Sequence, residues 1–168
     1  MFRKLNYIIL CVAVFMLIVM RLAVMMSHKT PEVVTATTTI NTTQMDMGTL
    51  TVASSTFSVM IAQTPDETTR GLSGMTSLPQ DKGMLFIFDD NIVRGFWMPD
   101  MHFAIDMVWI DSNWRVIGIA QHATPESYPK VFYSNGPAKY VLEVSDGASR
   151  TWGIATGTQL IFTAKAQE

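Results

Sequence analysis

Apolar residues are concentrated at the N-terminus of the chain. From Leu5 to Met26 they run almost without interruption, and Asn6 and Arg21 are the strongly polar residues within the run. About 20 apolar residues suffice to cross the hydrocarbon core of a bilayer, so this pattern predicts a transmembrane helix that anchors the chain through residues 1–26. Two basic residues precede the run, and the positive-inside tendency therefore places the following chain outside the cytoplasm, in the periplasm or the extracellular space.

A cleaved signal peptide is the alternative for residues 1–26, and the sequence leaves that choice open. Signal peptides usually have a shorter apolar core followed by a small-x-small cleavage site. Here large residues follow the core, and the small pattern ending at Ala36 lies well beyond it, so an uncleaved anchor is favoured. Residues 27–48 are rich in threonine and predict an extended linker. An edge strand is the other interpretation of this segment, because threonine also suits strands.

The third part of the chain, residues 49–168, has the pattern of a globular domain. Short apolar runs, some alternating with polar residues, are separated by glycine, proline and polar turns, which is typical of strands. The predicted strands are 49–53, 56–62, 84–88, 95–98, 105–110, 115–121, 140–144 and 159–164. We therefore expect a mainly β fold, a compact barrel or sandwich of about eight short strands with one or two short helices.

Two short helices and one long loop complete the predicted domain. Thr64 can cap a helix that has proline at its first position and Glu67 at its third, which is the pattern of a capping box, and Gly71 would end it. A second helical turn follows Gly147. Residues 122–139 contain three prolines and predict a loop, and loops of this length in compact domains are often functional.

Charge and cysteine content exclude several classes of function. Residues 31–168 carry 8 basic and 14 acidic residues, a net charge of 8 − 14 = −6, which argues against nucleic acid as a partner. The single cysteine, Cys11, lies in the N-terminal apolar run. The domain can therefore form neither a disulfide nor a thiolate metal site, and no cofactor is predicted.

Several motifs occur in a recognisable order through the domain. They are TRGLSGM (69–75), GMLFIF (83–88), GFWMPDMHFAIDMVWID (95–111), SNGPAKYVLEVSDG (134–147) and WGIATG (152–157). Together they resemble the domain-of-unknown-function 192 family over about residues 50–162. The resemblance implies a compact β-rich fold, often found in prokaryotes behind a signal or an anchor, and it implies no established activity.

Asp106 is the most informative polar residue of the domain. Alternation along its strand places it on the same face as Val108 and Ile110, where the neighbours predict a core. A buried carboxylate needs partners, and Arg70 on the first helix is the candidate. A salt bridge that fixes the helix to the sheet is favoured over a poised acid in a cleft, because structural ion pairs are common.

Two chemical alternatives involve the residues around Asp106. Asp100, His102 and Asp106 could form an acid–base cluster with His122 or Glu143, as in a hydrolase acting on envelope substrates, although no catalytic motif accompanies them. Met98, Met101 and His102 offer thioether and imidazole groups, which suit Cu(I). Methionine also fills irregular cores, and that is the favoured explanation for these two methionines.

The leading functional hypothesis is a non-catalytic ligand-binding or interaction module, and whether the protein is an enzyme stays open. The candidate ligand-binding residues are Arg70, Trp97, Asp106, Tyr128, Ser134 and Asn135. They combine aromatic and polar groups with the long loop, a combination that is typical of a binding cleft. The expected partners are the membrane, through the N-terminal helix, and an unidentified small molecule or envelope protein.

Overall fold

The computed structural model describes residues 45–165. Within them are seven strands, two short α-helices and one 3-10 turn at Pro125–Ser127. The strands are β1 (Met47–Val52), β2 (Ser55–Ala62), β3 (Lys82–Phe96), β4 (Ile105–Ile110), β5 (Val116–Ala123), β6 (Phe132–Ser145) and β7 (Leu160–Ala164). The helices are α1 (Pro65–Arg70) and α2 (Ala148–Thr151). The mainly β class with two short helices is confirmed.

The seven strands form one sheet rather than a closed barrel. Their order is β5-β4-β6-β3-β2-β1-β7, so of the expected barrel or sandwich the closed barrel is not formed. The two edge strands approach each other at a single isolated bridge between Arg115 and Gln159. All neighbouring pairs are antiparallel except β2 and β3, which run parallel. A parallel pair cannot be joined by a tight turn, so the chain crosses over between them through α1 and residues 71–81.

Each face of the sheet carries a cluster of buried apolar residues, because apolar side chains along the strands point alternately to the two faces. One core cluster contains Leu50, Leu85, Val108 and Leu142, with Ala148 of α2 packed against it. The other cluster contains Leu72, Phe86, Met107 and Val141, together with residues of the crossover. Neighbours in sequence on β4 and β6 belong to different clusters, as the two-residue period of a strand requires. A side chain's position in a strand therefore decides which core it joins.

Strands β3 and β6 are longer than the apolar pattern predicts. The predicted strands 84–88 and 95–98 lie largely within the single strand β3, and the predicted loop 122–139 already becomes strand at Phe132. Their pairing is irregular between Ile87 and Ile92 and again between Val93 and Gly95. Bulges of this kind let polar residues and a proline lie within a strand without full ladder bonding. The apolar pattern of the sequence therefore does not predict that β3 and β6 are continuous strands.

Helix α1 begins as predicted. The Thr64 side chain accepts a hydrogen bond from the Glu67 amide at 3.3 Å, and the Glu67 carboxylate accepts one from the Thr64 amide at 2.9 Å. The amides of Thr64 and Gln63 lower the pKa of the Glu67 carboxyl, because they stabilise its charged form. Gly71 ends the helix with φ +51° and ψ −135°, a conformation that residues with a Cβ rarely adopt.

The predicted membrane anchor, residues 1–26, lies outside the described residues, as does most of the predicted linker. Within residues 45–165, no helix has the length and the apolar character that crossing a bilayer requires.

Candidate functional site

A cavity of about 370 Å³ lies beside the crossover, between residues 68–73 and residues 92–97 of the β3 region. Its other lining residues are Phe86, Phe88, Pro99, Met101 and Glu143. Ligand pockets usually occupy about 300–1,000 Å³ and combine apolar walls with a few convergent polar groups. The end of α1, the outer half of β3 and the middle of β6 meet here, so the sheet topology creates the cavity.

Glu143 is the buried acid of this cavity. It lies on β6 within an otherwise apolar stretch and is only 5% exposed. Within residues 45–165 its carboxyl group forms neither a hydrogen bond nor an ion pair. Burial raises the pKa of Glu143 to about 8, because the charged form loses its hydration and gains no partner. The group is therefore predominantly protonated at pH 7, able both to donate and to accept a hydrogen bond.

The backbone of the crossover approaches this acid closely at Gly71. A Cβ placed on Gly71 would lie 3.2 Å from the Phe86 ring and 3.9 Å from Oε2 of Glu143. Two features favour glycine at position 71. The backbone φ is positive there, and a side chain would enter the space beside Glu143. The turn at Gly71 keeps one side of the cavity open.

Three phenylalanines form the apolar wall. Phe86 and Phe96 meet edge to face with ring centroids 4.9 Å apart, and Phe88 and Phe96 do so at 6.4 Å. The Arg94 guanidinium lies 3.6 Å above the centre of the Phe88 ring. Its Nε donates to the carbonyl of Ala138 at 3.1 Å, and the group also pairs with the Asp90 carboxylate. Arg94 is thus held against the wall with its charge compensated.

The mouth of the cavity carries exposed aromatic and basic groups. Trp97 is 51% exposed and lies 5.8 Å from the ring of Tyr128, itself 52% exposed. Arg70 is exposed at the end of α1, and no hydrogen bond or ion pair joins its guanidinium to another described residue. Arg70 and Trp97 therefore lie at one cavity, as a binding role for both residues requires.

Asp106 belongs to the opposite face of the sheet. It is fully buried, and its carboxylate accepts hydrogen bonds from the Ser149 hydroxyl at 2.6 Å, the Ser149 amide at 3.2 Å and the His122 amide at 3.0 Å. The expected salt bridge between Asp106 and Arg70 is not formed, because α1 packs over the face that carries Glu143. Asp106 instead joins β4 to α2 and β5, and it does not line the cavity.

The other acid–base and metal candidates do not converge either. Asp100 and His102 are exposed and lie outside the cavity lining. Met98 and Met101 are buried in the core cluster that contains Phe86, and Met101 also reaches the cavity. Across the described part of the chain, no three histidine, cysteine, aspartate or glutamate residues lie close enough together to hold a metal ion.

The remaining candidates from the predicted loop stabilise strand pairing. The Ser134 hydroxyl accepts a hydrogen bond from the Arg94 amide at 2.9 Å and donates one to the carbonyl of Gly136 at 2.6 Å. The Asn135 side chain donates to the carbonyl of Ile117 at 3.4 Å. Neither residue lines the cavity. Of the six candidates, Arg70 and Trp97 line it, Tyr128 contacts Trp97, and the other three form hydrogen bonds that hold other elements together.

Comparison with known proteins agrees with the motifs found in the sequence. The model of the DUF192 family, described as Uncharacterized ACR, matches residues 48–162, well over half of the chain. The chain belongs to the DUF192 family. No curated protein matches it.

Two solved structures resemble the DUF192 domain. One is a candidate transcription regulator from Sinorhizobium meliloti 1021, which is 28% identical, with a TM-score of 0.63 over 70% of this chain and 92% of that chain. The other is a protein of unknown function from Novosphingobium aromaticivorans DSM 12444, which is 27% identical, with a TM-score of 0.61 over 68% and 83%. Both resemblances extend over most of the DUF192 domain and leave its function open.

The sequence suggests Glu143 as one member of an acid–base cluster and does not indicate that it lines a cavity. The signal is present, because a glutamate alternates with Val141 and Ser145 in the strand YVLEVS, as Asp106 alternates with Val108 in its own strand. Both patterns predict a buried carboxyl group. Neither pattern predicts the face of the sheet on which α1 packs. The position of α1 determines which of the two acids lines the cavity.

Proposed function

We propose that the DUF192 domain of this chain is a non-catalytic binding module that holds a small ligand in the cavity beside Glu143. The carboxyl group of Glu143 is the observation that carries the proposal. The side chain is 5% exposed, lines the cavity and forms no hydrogen bond to another described residue, so a ligand in the cavity can supply a partner for it.

The shape and composition of the cavity support a small ligand. Its volume of about 370 Å³ lies at the lower end of the range of ligand pockets. Phe86 and Phe96 present ring faces and edges to a planar or apolar body. The protonated acid of Glu143 can form a pair of hydrogen bonds with a group that both accepts and donates, such as a carboxamide.

Binding is favoured over catalysis because none of the described lining residues places a second reactive group beside Glu143. Arg94 is paired with Asp90, and the Ser73 hydroxyl donates to the carbonyl of Pro99 at 2.9 Å. A hydrolase would need a nucleophile or an activated water next to its acid. The copper alternative depends on Met98, Met101 and His102, of which only Met101 lines the cavity.

The place of action rests on the sequence alone. The apolar residues 5–26 support a domain that is anchored to a membrane and works outside the cytoplasm, where an envelope protein or a small molecule would be its partner. Nucleic acid is not proposed as a partner, because the net charge of −6 over residues 31–168 repels phosphate.

Benzamide is a suitable probe, because its ring matches the phenylalanine wall and its amide matches the protonated acid. Titration of the purified full chain, followed by calorimetry and by amide chemical shifts, is expected to give saturable binding with shifts centred on residues 68–73 and 92–97. The substitution Gly71→Ala places a methyl group toward Phe86 and Glu143 and is expected to weaken binding at least tenfold.

Gly74→Ala is the matched control. Gly74 also has a positive φ, of +77°, but a Cβ there would meet no atom within 4 Å and Gly74 does not line the cavity, so alanine there strains the backbone and leaves the cavity unchanged. It should bind benzamide as the parent chain does. Equal affinity in Gly71→Ala and Gly74→Ala, or the absence of saturable binding to the parent chain, would contradict the proposal.

A further inference from the structure

Two arginines line the cavity, and their surroundings differ. Arg94 is half-buried, lies over Phe88 and is paired with Asp90, while its Nε donates to a main-chain carbonyl. Arg70 stands at the mouth without a hydrogen bond or ion pair to any described residue. The nearest acid along the helix, Glu67, is engaged by the amides of Gln63 and Thr64 in the capping box. The guanidinium of Arg70 therefore keeps its hydrogen-bond donors for a ligand, while its charge also lowers the pKa of the Glu67 carboxyl.

The charges around the cavity give a positive local balance. The charged groups that share the wall with Glu143 are Arg70 from α1 and Arg94 from β3, while β4 pairs the neutral Met107 with Glu143. Arg94 is neutralised by Asp90. Glu143 carries little charge at pH 7, because its pKa is raised to about 8. Among the described residues that line the cavity, Arg70 is therefore the charged group that no ion pair neutralises.

We propose that the ligand is a small organic anion whose carboxylate pairs with Arg70, whose planar body packs on Phe86 and Phe96, and whose neutral polar group meets the carboxyl group of Glu143. This inference rests on the proposed binding function and adds the charge and polarity of the ligand. Arginine suits this task because its planar guanidinium can pair with a carboxylate through two hydrogen bonds.

A cationic ligand is the main competitor, since aromatic rings and a buried acid could also hold an ammonium group. Such a ligand would have to pass Arg70, and it would also require ionisation of Glu143 inside the cavity. Both requirements oppose binding at pH 7. The sign of the ligand's charge is therefore the property that a test should vary while shape is kept constant.

Three compounds of nearly the same shape provide this test. They are 4-carbamoylbenzoate, the neutral terephthalamide and the cationic 4-(aminomethyl)benzamide. Calorimetric titration of the full chain at pH 7 is expected to give at least tenfold tighter binding of the anion than of the neutral compound, and the weakest binding for the cation. Each compound keeps one carboxamide for Glu143, so the comparison isolates the group that meets Arg70.

Arg70→Gln should bring the affinities for the anion and the neutral compound to within about twofold of each other. Arg150→Gln is the matched control, because Arg150 lies at the end of α2 and does not line the cavity. It should keep the preference for the anion. A full preference for the anion in Arg70→Gln would overturn the assignment of Arg70.

The role of Glu143 can be followed separately through pH. If only the protonated acid binds, the apparent affinity falls in proportion to the protonated fraction, which means about a tenfold loss between pH 7 and pH 9. Glu143→Gln keeps a neutral group that donates and accepts, so it should bind the anion at pH 7 and lose this pH dependence. An unchanged pH dependence in Glu143→Gln would overturn its role.

The outcomes also separate the two proposals. If terephthalamide or the cation binds as tightly as 4-carbamoylbenzoate or more tightly, the anionic ligand is wrong and the binding module stands. If none of the three compounds binds and benzamide also fails, the binding module itself is wrong. If all three bind equally to the parent chain and to Gly71→Ala, the cavity is not their site and both proposals fail.

Discussion

Asp106 and Glu143 are both buried carboxyl groups, and they are close neighbours in the same sheet. Asp106 pairs with Val144 and Met107 pairs with Glu143 across β4 and β6, so the two acids are offset by one position and point to opposite faces. Asp106 accepts three hydrogen bonds from Ser149 and His122. Glu143 accepts none from the described residues. Burial is common to both acids, and what differs is the supply of partners.

This difference agrees with a structural role for Asp106 and with the binding role proposed for Glu143. The hydrogen bonds to Asp106 come from α2 and β5, so this carboxylate connects three elements and leaves no capacity for a ligand. Glu143 has its capacity unused and faces a cavity. A carboxyl group whose partners are all internal contributes to folding, whereas one that awaits a partner contributes to recognition. Substitutions at the two positions should therefore have opposite effects.

The largest expected effect is on the pH dependence of stability in Glu143→Gln. The pKa of Glu143 is raised from 4.5 to about 8 in the folded protein, so between these values the unfolded chain is ionised while the folded protein keeps its proton. The parent chain should lose stability as pH rises through this window, by on the order of 5 kcal/mol in total. Glu143→Gln has no such loss, so it should equal the parent near pH 4 and exceed it at pH 9.

Urea unfolding of the full chain at several pH values measures this difference. Glu126→Gln serves as the control, because Glu126 is exposed and its pKa is lowered rather than raised. It should show no gain over the parent at alkaline pH. A constant free-energy difference between Glu143→Gln and the parent from pH 4 to pH 9 would mean that Glu143 is solvated like an ordinary surface acid, and the comparison with Asp106 would fail.

The second effect is a loss of stability in Asp106→Asn. The amide group would place a donor against the donors of Ser149 or of the His122 amide, so at least one buried hydrogen bond is lost and one donor is left unsatisfied. We expect a decrease of about 3 kcal/mol in the free energy of unfolding at pH 7. Benzamide binding by the folded variant should be unchanged, and a loss of binding would give Asp106 a role in recognition.

The smallest effect concerns the helix that carries Arg70. Thr64→Ala removes the side chain that caps α1 and is expected to lower the free energy of unfolding by about 1 kcal/mol. Thr69→Ala, at an exposed position of the same helix, should change it by less than about 0.5 kcal/mol. Urea unfolding measures both variants. Equal free energies of unfolding for Thr64→Ala and Thr69→Ala would show that the capping box does not stabilise α1.

Local rules in the sequence account for much of the fold. The capping box at Thr64 and the helical turn after Gly147 depend on residues close together in the chain, and both are confirmed. The long strands β3 and β6 are not predicted as continuous, because bulges interrupt the apolar alternation on which the prediction depends. The order of the strands also depends on pairings between residues far apart in the chain, and the apolar periodicity does not predict these pairings.

The candidate site is predicted only in part, for a related reason. Arg70 and Trp97 lie at the cavity, since both belong to segments that border it. The expected pairing of Asp106 with Arg70 is wrong, because alternation predicts the burial of the acid but does not determine the face of the sheet on which the helix packs. Ser134 and Asn135 were expected in a loop and lie instead in a strand, where they serve pairing.

The crossover between β2 and β3 has a consequence for how such domains can diversify. The parallel pairing of these strands requires a connection of this kind, but the pairing does not specify its sequence beyond the few residues that pack on the sheet. One wall of the cavity is therefore a segment that can change while the strand order is kept. If the proposed binding function holds, replacing residues 68–73 is a way to change the ligand while the sheet stays unaltered.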